Sequence, residues 1–172
     1  MKSEIVFSGI GGQGTILMGK MVCTAASKKG LEVTLAPAYG QEKRGGRASC
    51  QVVISEEIGS PVISKADTIL VMDEDSFKDY ENRVKAGGTL IVNSSMIDLK
   101  TSRTDINVVE IPFTEIATKV ATGRSANMVA LGAVVKTLNI VTLDDVKEVL
   151  KAKMKANLIE SNIKALEAGY NF

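Results

Sequence analysis

Two glycine-rich stretches carry the chemistry this chain can offer. Gly9-Ile10-Gly11-Gly12-Gln13-Gly14 follows a short apolar run and precedes residues at helical spacing. Tyr39-Gly40-Gln41-Glu42-Lys43-Arg44-Gly45-Gly46-Arg47 follows a second β-type run. In the first stretch Gly9, Gly11 and Gly14 permit a tight turn, close approach of backbone N–H groups to an anion, and close packing of a helix on a strand. The helix N-terminus behind them favours negative charge, and Gly12 and Gln13 complete the loop. In the second stretch Arg44 offers a planar fork to a carboxylate or phosphate, and Glu42 can orient the guanidinium. Gly45 and Gly46 let backbone amides come close, and Tyr39 and Gly40 belong to the same candidate site. Each loop has a plainer reading beside this one: a tight turn without a ligand for the first, and for the second a solvated loop whose charges pair with each other.

The glycine pattern alone would suit a dinucleotide, but such a site needs an acid at the end of the second strand to hold the ribose hydroxyls. Thr34-Leu35-Ala36-Pro37-Ala38 occupies that place, and Glu32 sits at the wrong end of its strand, which makes NAD the weaker reading. No His is present, so imidazole bases, His-based triads and the commonest metal ligand are excluded. Cys23 and Cys50 stand far apart, without the spacing of a zinc or iron–sulfur site, and read as buried small side chains. Asp73, after Leu70-Val71-Met72, either faces a ligand or opens the next helix, and no catalytic role is assigned to it. With 21 Lys and Arg against 20 Asp and Glu, the net charge of +1 supplies no global field for nucleic acid or anionic lipid.

Positioning these loops requires an α/β framework. Ile5 to Ser8 reads as a strand, Leu17, Met21 and Ala25 as a helix face closed by Lys28-Lys29-Gly30, and Leu31 to Ala36 as the strand that completes a βαβ unit. Ala38 to Arg47 forms a long loop, and Ala48 to Ser55 the next strand. Glu56-Glu57 is expected to turn that strand back through Ile58 to Ile63 as a hairpin edge, weakened by Gly59 and Pro61. Strands at Thr68–Met72, Thr89–Val92 and Val108–Ile111 follow, with a polar helix over Asp75–Val84. Helices over Thr114–Ala121, Ala126–Leu138, a segment opened by Thr142 and Asp145 in capping-box spacing, and Lys153–Ala168 complete the chain. Asn127 to Ala133 is apolar all round, which suits either a buried helix or one packed on a partner. The expectation is one Rossmann-like α/β domain over residues 1–172, with a mostly parallel sheet, flanking helices, a β-hairpin edge and a helical C-terminal cap. No signal-type segment or membrane-length apolar run is present, so the expected compartment is the cytoplasm, without membrane attachment.

Taken together, Gly9 to Gly14 and Tyr39 to Gly46 resemble the paired signature of the gamma domain of pyruvate and 2-oxoacid:ferredoxin oxidoreductases. The likeness continues through Ile58-Gly59-Ser60-Pro61 and Asn127 to Ala133. Gln41 replaces the proline more usual in that family, and Lys43 occupies a variable position; the glycines and Arg44 are intact. Arg47 to Val52 is similar to members that use 2-oxoglutarate, ranked first, or branched-chain 2-oxoacids. The resemblance implies an accessory gamma subunit of a multisubunit enzyme that converts a 2-oxoacid to an acyl-CoA and reduces ferredoxin. It further implies alpha, beta and delta-type partner subunits. Thiamine pyrophosphate and iron–sulfur clusters belong to those partners, and this chain alone binds none of them. The glycine and Arg44 loops lie on the coenzyme A side of such a complex, and the isolated chain is expected to be inactive and to self-associate. The alternative from another class is a free-standing anion- or nucleotide-binding module acting as regulator or scaffold.

Overall fold

The structure, a computed structural model, describes residues 1–40 and 45–172. Its strands are β1 (Lys2–Ile10), β2 (Glu32–Tyr39), β3 (Arg47–Ser55), β4 (Ala66–Val71), β5 (Val84–Asn93) and β6 (Asn107–Ile111). Its helices are α1 (Thr15–Lys28), α2 (Glu74–Tyr80), α3 (Phe113–Val120), α4 (Ala126–Leu138), α5 (Leu143–Lys153) and α6 (Ala156–Tyr170). Single 3₁₀ turns at Glu81–Arg83 and Gly123–Ser125 lead into β5 and α4.

The six strands form one mixed sheet in the order β2-β3-β1-β4-β5-β6. β1, β4, β5 and β6 are parallel neighbours, as expected for strands linked by crossovers. β3 runs antiparallel to both β1 and β2, with Ser8 opposite Ser49 and Ser49 opposite Ala38. β2 runs parallel to β1, as the βαβ reading requires, with β3 inserted between them. One expectation is corrected here: the edge hairpin is β2–β3, not a return through Ile58 to Ile63. Residues 56–65 form bends and irregular chain with no strand, and Ile58 is 81% and Val62 77% exposed. The apolar letters of that stretch were not a buried face, and Gly59 and Pro61 break the ladder it would have needed.

Side-chain alternation splits the sheet into two faces. Ile5, Phe7, Cys50, Val52, Leu70 and Ile91 face a layer containing α1, α3, α4, α5 and α6. Val6, Val53, Ile69, Val71, Leu90 and Val92 face α2 and the loops around Ile63 and Ile97. The all-apolar α4 is a core helix: Met128 to Val135 are all buried, and α6 packs along it. That packing is backbone-close in both directions. A Cβ on Gly132 would overlap the Leu166 carbonyl, and one on Gly169 the Val129 carbonyl. Thr142 opens α5 with the expected capping box, its Oγ1 accepting from the Asp145 N–H at 3.0 Å while the Asp145 carboxylate accepts from the Thr142 N–H at 2.8 Å.

At the amino end of the parallel strands Glu4, largely buried, meets Lys85 and lies 2.9 Å from Lys2 Nζ, while Asp67 accepts from both Lys85 Nζ and the Glu4 N–H. Burial alone would raise the Glu4 pKa, but Lys85 and Lys2 outweigh it and hold the carboxyl below its ordinary value.

Candidate functional site

The carboxyl end of β1 runs directly into the first glycine loop. Gly9 is tightly enclosed: a Cβ there would stand 2.5 Å from Gln13 Oε1, displacing that side chain from the turn, and 3.1 Å from both Met72 Cβ and Thr15 Cγ2. Gln13 folds back over the turn, its Oε1 accepting from the Ile10 N–H at 2.6 Å and its own N–H donating to the Ile10 carbonyl at 3.0 Å. Gly12 and Gly14 carry φ of 101° and 77°, conformations that strain any side-chain-bearing residue. Gly14 is the N-cap of α1 and supplies no side-chain cap, so the open N–H groups of the first helical turn are left for an external acceptor.

Among the described residues, backbone hydrogen bonds fasten the second loop to the first. The Gly11 N–H donates to the Gly46 carbonyl at 2.7 Å, and the Gly45 N–H reaches back to the Gly11 carbonyl at 3.4 Å. Gly45, with φ of 75°, is left-handed. Gly9, Gly11, Gly12, Gln13 and Gly14 are thus brought together with Gly45 and Gly46. Glu42 and Arg44, with Gln41 and Lys43, lie outside the described residues. Tyr39 and Gly40 stand at the base of the hairpin, where the Gly40 N–H donates to the Arg47 carbonyl at 2.7 Å. They line a cavity of about 250 Å³ on the α2 face, together with Ser8, Ser49, Asp79 and Tyr80.

The position of this crevice follows from topology. From β1 the chain leaves to α1 on one face, and from β4 it leaves to α2 on the other, so the adjacent carboxyl ends of β1 and β4 form the switch point where open α/β sheets bind ligands. Asp73 opens α2, one of the two roles open to it. Its Oδ1 accepts from Ser76 Oγ at 2.5 Å, and Ser76 Oγ accepts from Ser8 Oγ at 2.9 Å, all three residues being buried.

Two features escaped the sequence reading. Asn127, in the first turn of α4, packs on Gly14, where an added Cβ would stand 3.2 Å from Asn127 Cβ. The N-termini of α1 and α4 therefore meet beside the glycine loop; Gly123-Arg124-Ser125 ahead of α4 was the available signal. The Ser8–Ser76–Asp73 chain had none, because its members are joined only by the fold.

The thiols do not belong to this site. Cys50 packs behind Gly19 of α1, and burial raises Cys23 to about 11 and Cys50 to about 12. Two buried, protonated thiols do not fit an iron–sulfur cluster. Among the described residues no three His, Cys, Asp or Glu side chains gather as a cation site. The uncapped N-terminus of α1 and the absence of a Cβ at Gly11, Gly12 and Gly14 do fit a phosphate group.

The family described as pyruvate ferredoxin/flavodoxin oxidoreductase matches residues 4–172. Ketoisovalerate oxidoreductase subunit VorA of Methanothermobacter marburgensis is 34% identical over 171 residues, covering 96% of this chain and 35% of VorA, so the chain spans about a third of that relative. The keto/oxoacid ferredoxin oxidoreductase gamma subunit of Geobacter sulfurreducens superposes with a TM-score of 0.86 at 30% identity, covering 98% of this chain and 96% of that one. The structure of 2-oxoglutarate:ferredoxin oxidoreductase from Magnetococcus marinus, with 2-oxoglutarate, coenzyme A and succinyl-CoA bound, gives a TM-score of 0.90 at 26% identity. It covers 99% of this chain and 30% of that one. With the match running from Glu4 to Phe172 and the fold shared end to end, the chain belongs to the pyruvate ferredoxin/flavodoxin oxidoreductase family.

Proposed function

We propose that this chain works as one gamma-type domain over residues 1–172, an accessory subunit of a cytoplasmic, multisubunit 2-oxoacid:ferredoxin oxidoreductase, and that its paired glycine loops hold phosphate groups of coenzyme A. The observation that carries the reading is the backbone-bonded pair of loops at the uncapped N-terminus of α1. The gamma subunit of Geobacter sulfurreducens and the coenzyme A-containing relative share its fold. Arg44, beside Gly45, supplies the charge such a site needs, with Glu42 to orient it. The chain contributes binding and orientation. Decarboxylation on thiamine pyrophosphate and electron transfer through iron–sulfur clusters to ferredoxin fall to alpha, beta and delta-type partners. 2-Oxoglutarate is the first-ranked substrate and branched-chain 2-oxoacids the second, in keeping with the substrates named for the two relatives. No helix among the described residues is long and apolar enough to cross a membrane.

The test is purification of the native complex through a tag on this chain, followed by assay of coenzyme A-dependent reduction of ferredoxin with 2-oxoglutarate, 2-oxoisovalerate and pyruvate. Co-purification of thiamine- and cluster-bearing chains with highest kcat/KM on 2-oxoglutarate is the expected result. A chain that purifies without them, or whose complex is indifferent to coenzyme A, would return the protein to a free-standing anion-binding module.

A further inference from the structure

The cavity beneath the β2–β3 hairpin is separate from the glycine loop although it abuts it, since Ser8 lines the one and Gly9 begins the other. Its floor is set by register: Ala38, Ser49 and Ser8 stand side by side on β2, β3 and β1. Tyr39 and Tyr80 contribute aromatic walls, and the exposed Arg47–Asp79 ion pair crosses its rim. At about 250 Å³ it admits a single ring system and not a whole nucleotide.

The hydrogen-bond polarity of the floor selects what that ring must carry. A carboxylate can only accept, so the Asp73 side chain takes the Ser76 proton; Ser76 then accepts, and the Ser8 proton is committed to it. Ser8 is 4% exposed and lines the cavity, and no group among the described residues donates to its Oγ. Its free lone pair, strengthened by the chain behind it, can receive an N–H but cannot give a proton to a carbonyl. Asp79 and Arg47 at the rim add an acceptor and a donor, held by an exposed pair that parts at little cost.

We infer that this cavity binds an amino-bearing planar heterocycle, adenine, seated on Ser8 by its exocyclic amino group and flanked by Tyr39 and Tyr80. The inference deepens the coenzyme A reading and rests on it for the choice of adenine among amino-heterocycles: base in the cavity and phosphate at α1 would lie on the two sides of one hairpin.

Adenosine, which carries no phosphate, isolates this cavity from the glycine loop. The full-length chain is titrated calorimetrically with adenosine, inosine and coenzyme A, and adenosine-induced amide shifts are mapped by NMR. Saturable adenosine binding with shifts at Ser8, Ser49 and Tyr80 is expected. Inosine, whose carbonyl replaces the amino group, should bind about tenfold more weakly, and Ser8→Ala should weaken adenosine by about tenfold. Ala38→Leu, at an exposed strand position, should fill the cavity and abolish adenosine binding while the circular dichroism spectrum stays unchanged. Coenzyme A binding without adenosine binding, or adenosine binding indifferent to both Ala38→Leu and inosine replacement, overturns the inference and leaves the coenzyme A reading standing. Adenosine binding without coenzyme A binding does the reverse.

Discussion

Replacing Gly132 with Ala sets helix propensity against packing. In an exposed helix interior the change would stabilise by about 1 kcal/mol. Here the new methyl group would overlap the Leu166 carbonyl and lie 2.7 Å from the Tyr170 nitrogen, both backbone atoms of α6 that no rotamer change can move. The two helices would have to part by about 1 Å, a gap that forfeits a quarter to a half of the dispersion attraction across it. Met128, Val129, Leu131 and Leu166, all fully buried, would share the loss. Overpacking of this kind costs about 3 kcal/mol, so the net effect is a destabilisation of about 2 kcal/mol. Urea unfolding followed by circular dichroism should show the midpoint falling by about 1 M at an unchanged slope near 2 kcal/mol/M. Gly169→Ala, facing the Val129 carbonyl, should behave alike. A midpoint equal to or above that of the unmodified chain would refute the claim that these glycines set the α4–α6 distance.

Four other outcomes are expected. Gly19→Ala should destabilise because its methyl would stand 2.5 Å from Cys50 Sγ, and Cys50→Ala should restore most of the loss, a coupling read from a double-mutant cycle in urea. Both thiols should resist Ellman's reagent at pH 8 in the folded chain and react after denaturation, since burial lifts Cys23 to about 11 and Cys50 to about 12. The folded pKa of Glu4 lies below its ordinary 4.5, so the stability it contributes is present above that value and lost as pH falls through the lowered one. The urea midpoints of the unmodified chain and Glu4→Gln should therefore differ at pH 7 and converge in acid. Arg44→Ala in the assembled complex should weaken coenzyme A use by about 1.5–3 kcal/mol with subunit stoichiometry unchanged, and Arg44→Lys should rescue only in part; dissociation of the complex would show Arg44 to be an interface residue instead.

What the sequence disclosed was local. The turn chemistry of Gly9 to Gly14, the span of α4 over Ala126–Leu138 and the Thr142–Asp145 capping box all depend on residues within a few positions of one another, and all were readable. The partner of β3 was not. An apolar run states that it pairs without stating with what, and a βαβ reading of β1-α1-β2 contains nothing to reveal that a later strand will be inserted between its two strands. The meeting of α1 and α4 at Gly14 and Asn127, and the hydroxyl chain from Ser8 to Asp73, join residues more than sixty positions apart through tertiary packing alone.

The place of β1 in the sheet has a bearing on how the molecule opens. β1 is laddered to β3 through nine residue pairs but to β4 through only the four from Ile5 to Ser8. The line between them divides the chain into a hairpin half, carrying α1 and both glycine loops, and a parallel half, carrying α2 and Asp73. Local opening favours the boundary with the shorter ladder. The Leu70 and Met72 amides, which point to β1 as the Met72 N–H to Ser8 carbonyl bond shows, should exchange with deuterium ahead of those along the β1–β3 ladder. A ligand reaching across from the loops to the Ser8–Ser76–Asp73 chain would slow them, acting as a clasp on the weakest seam of the sheet.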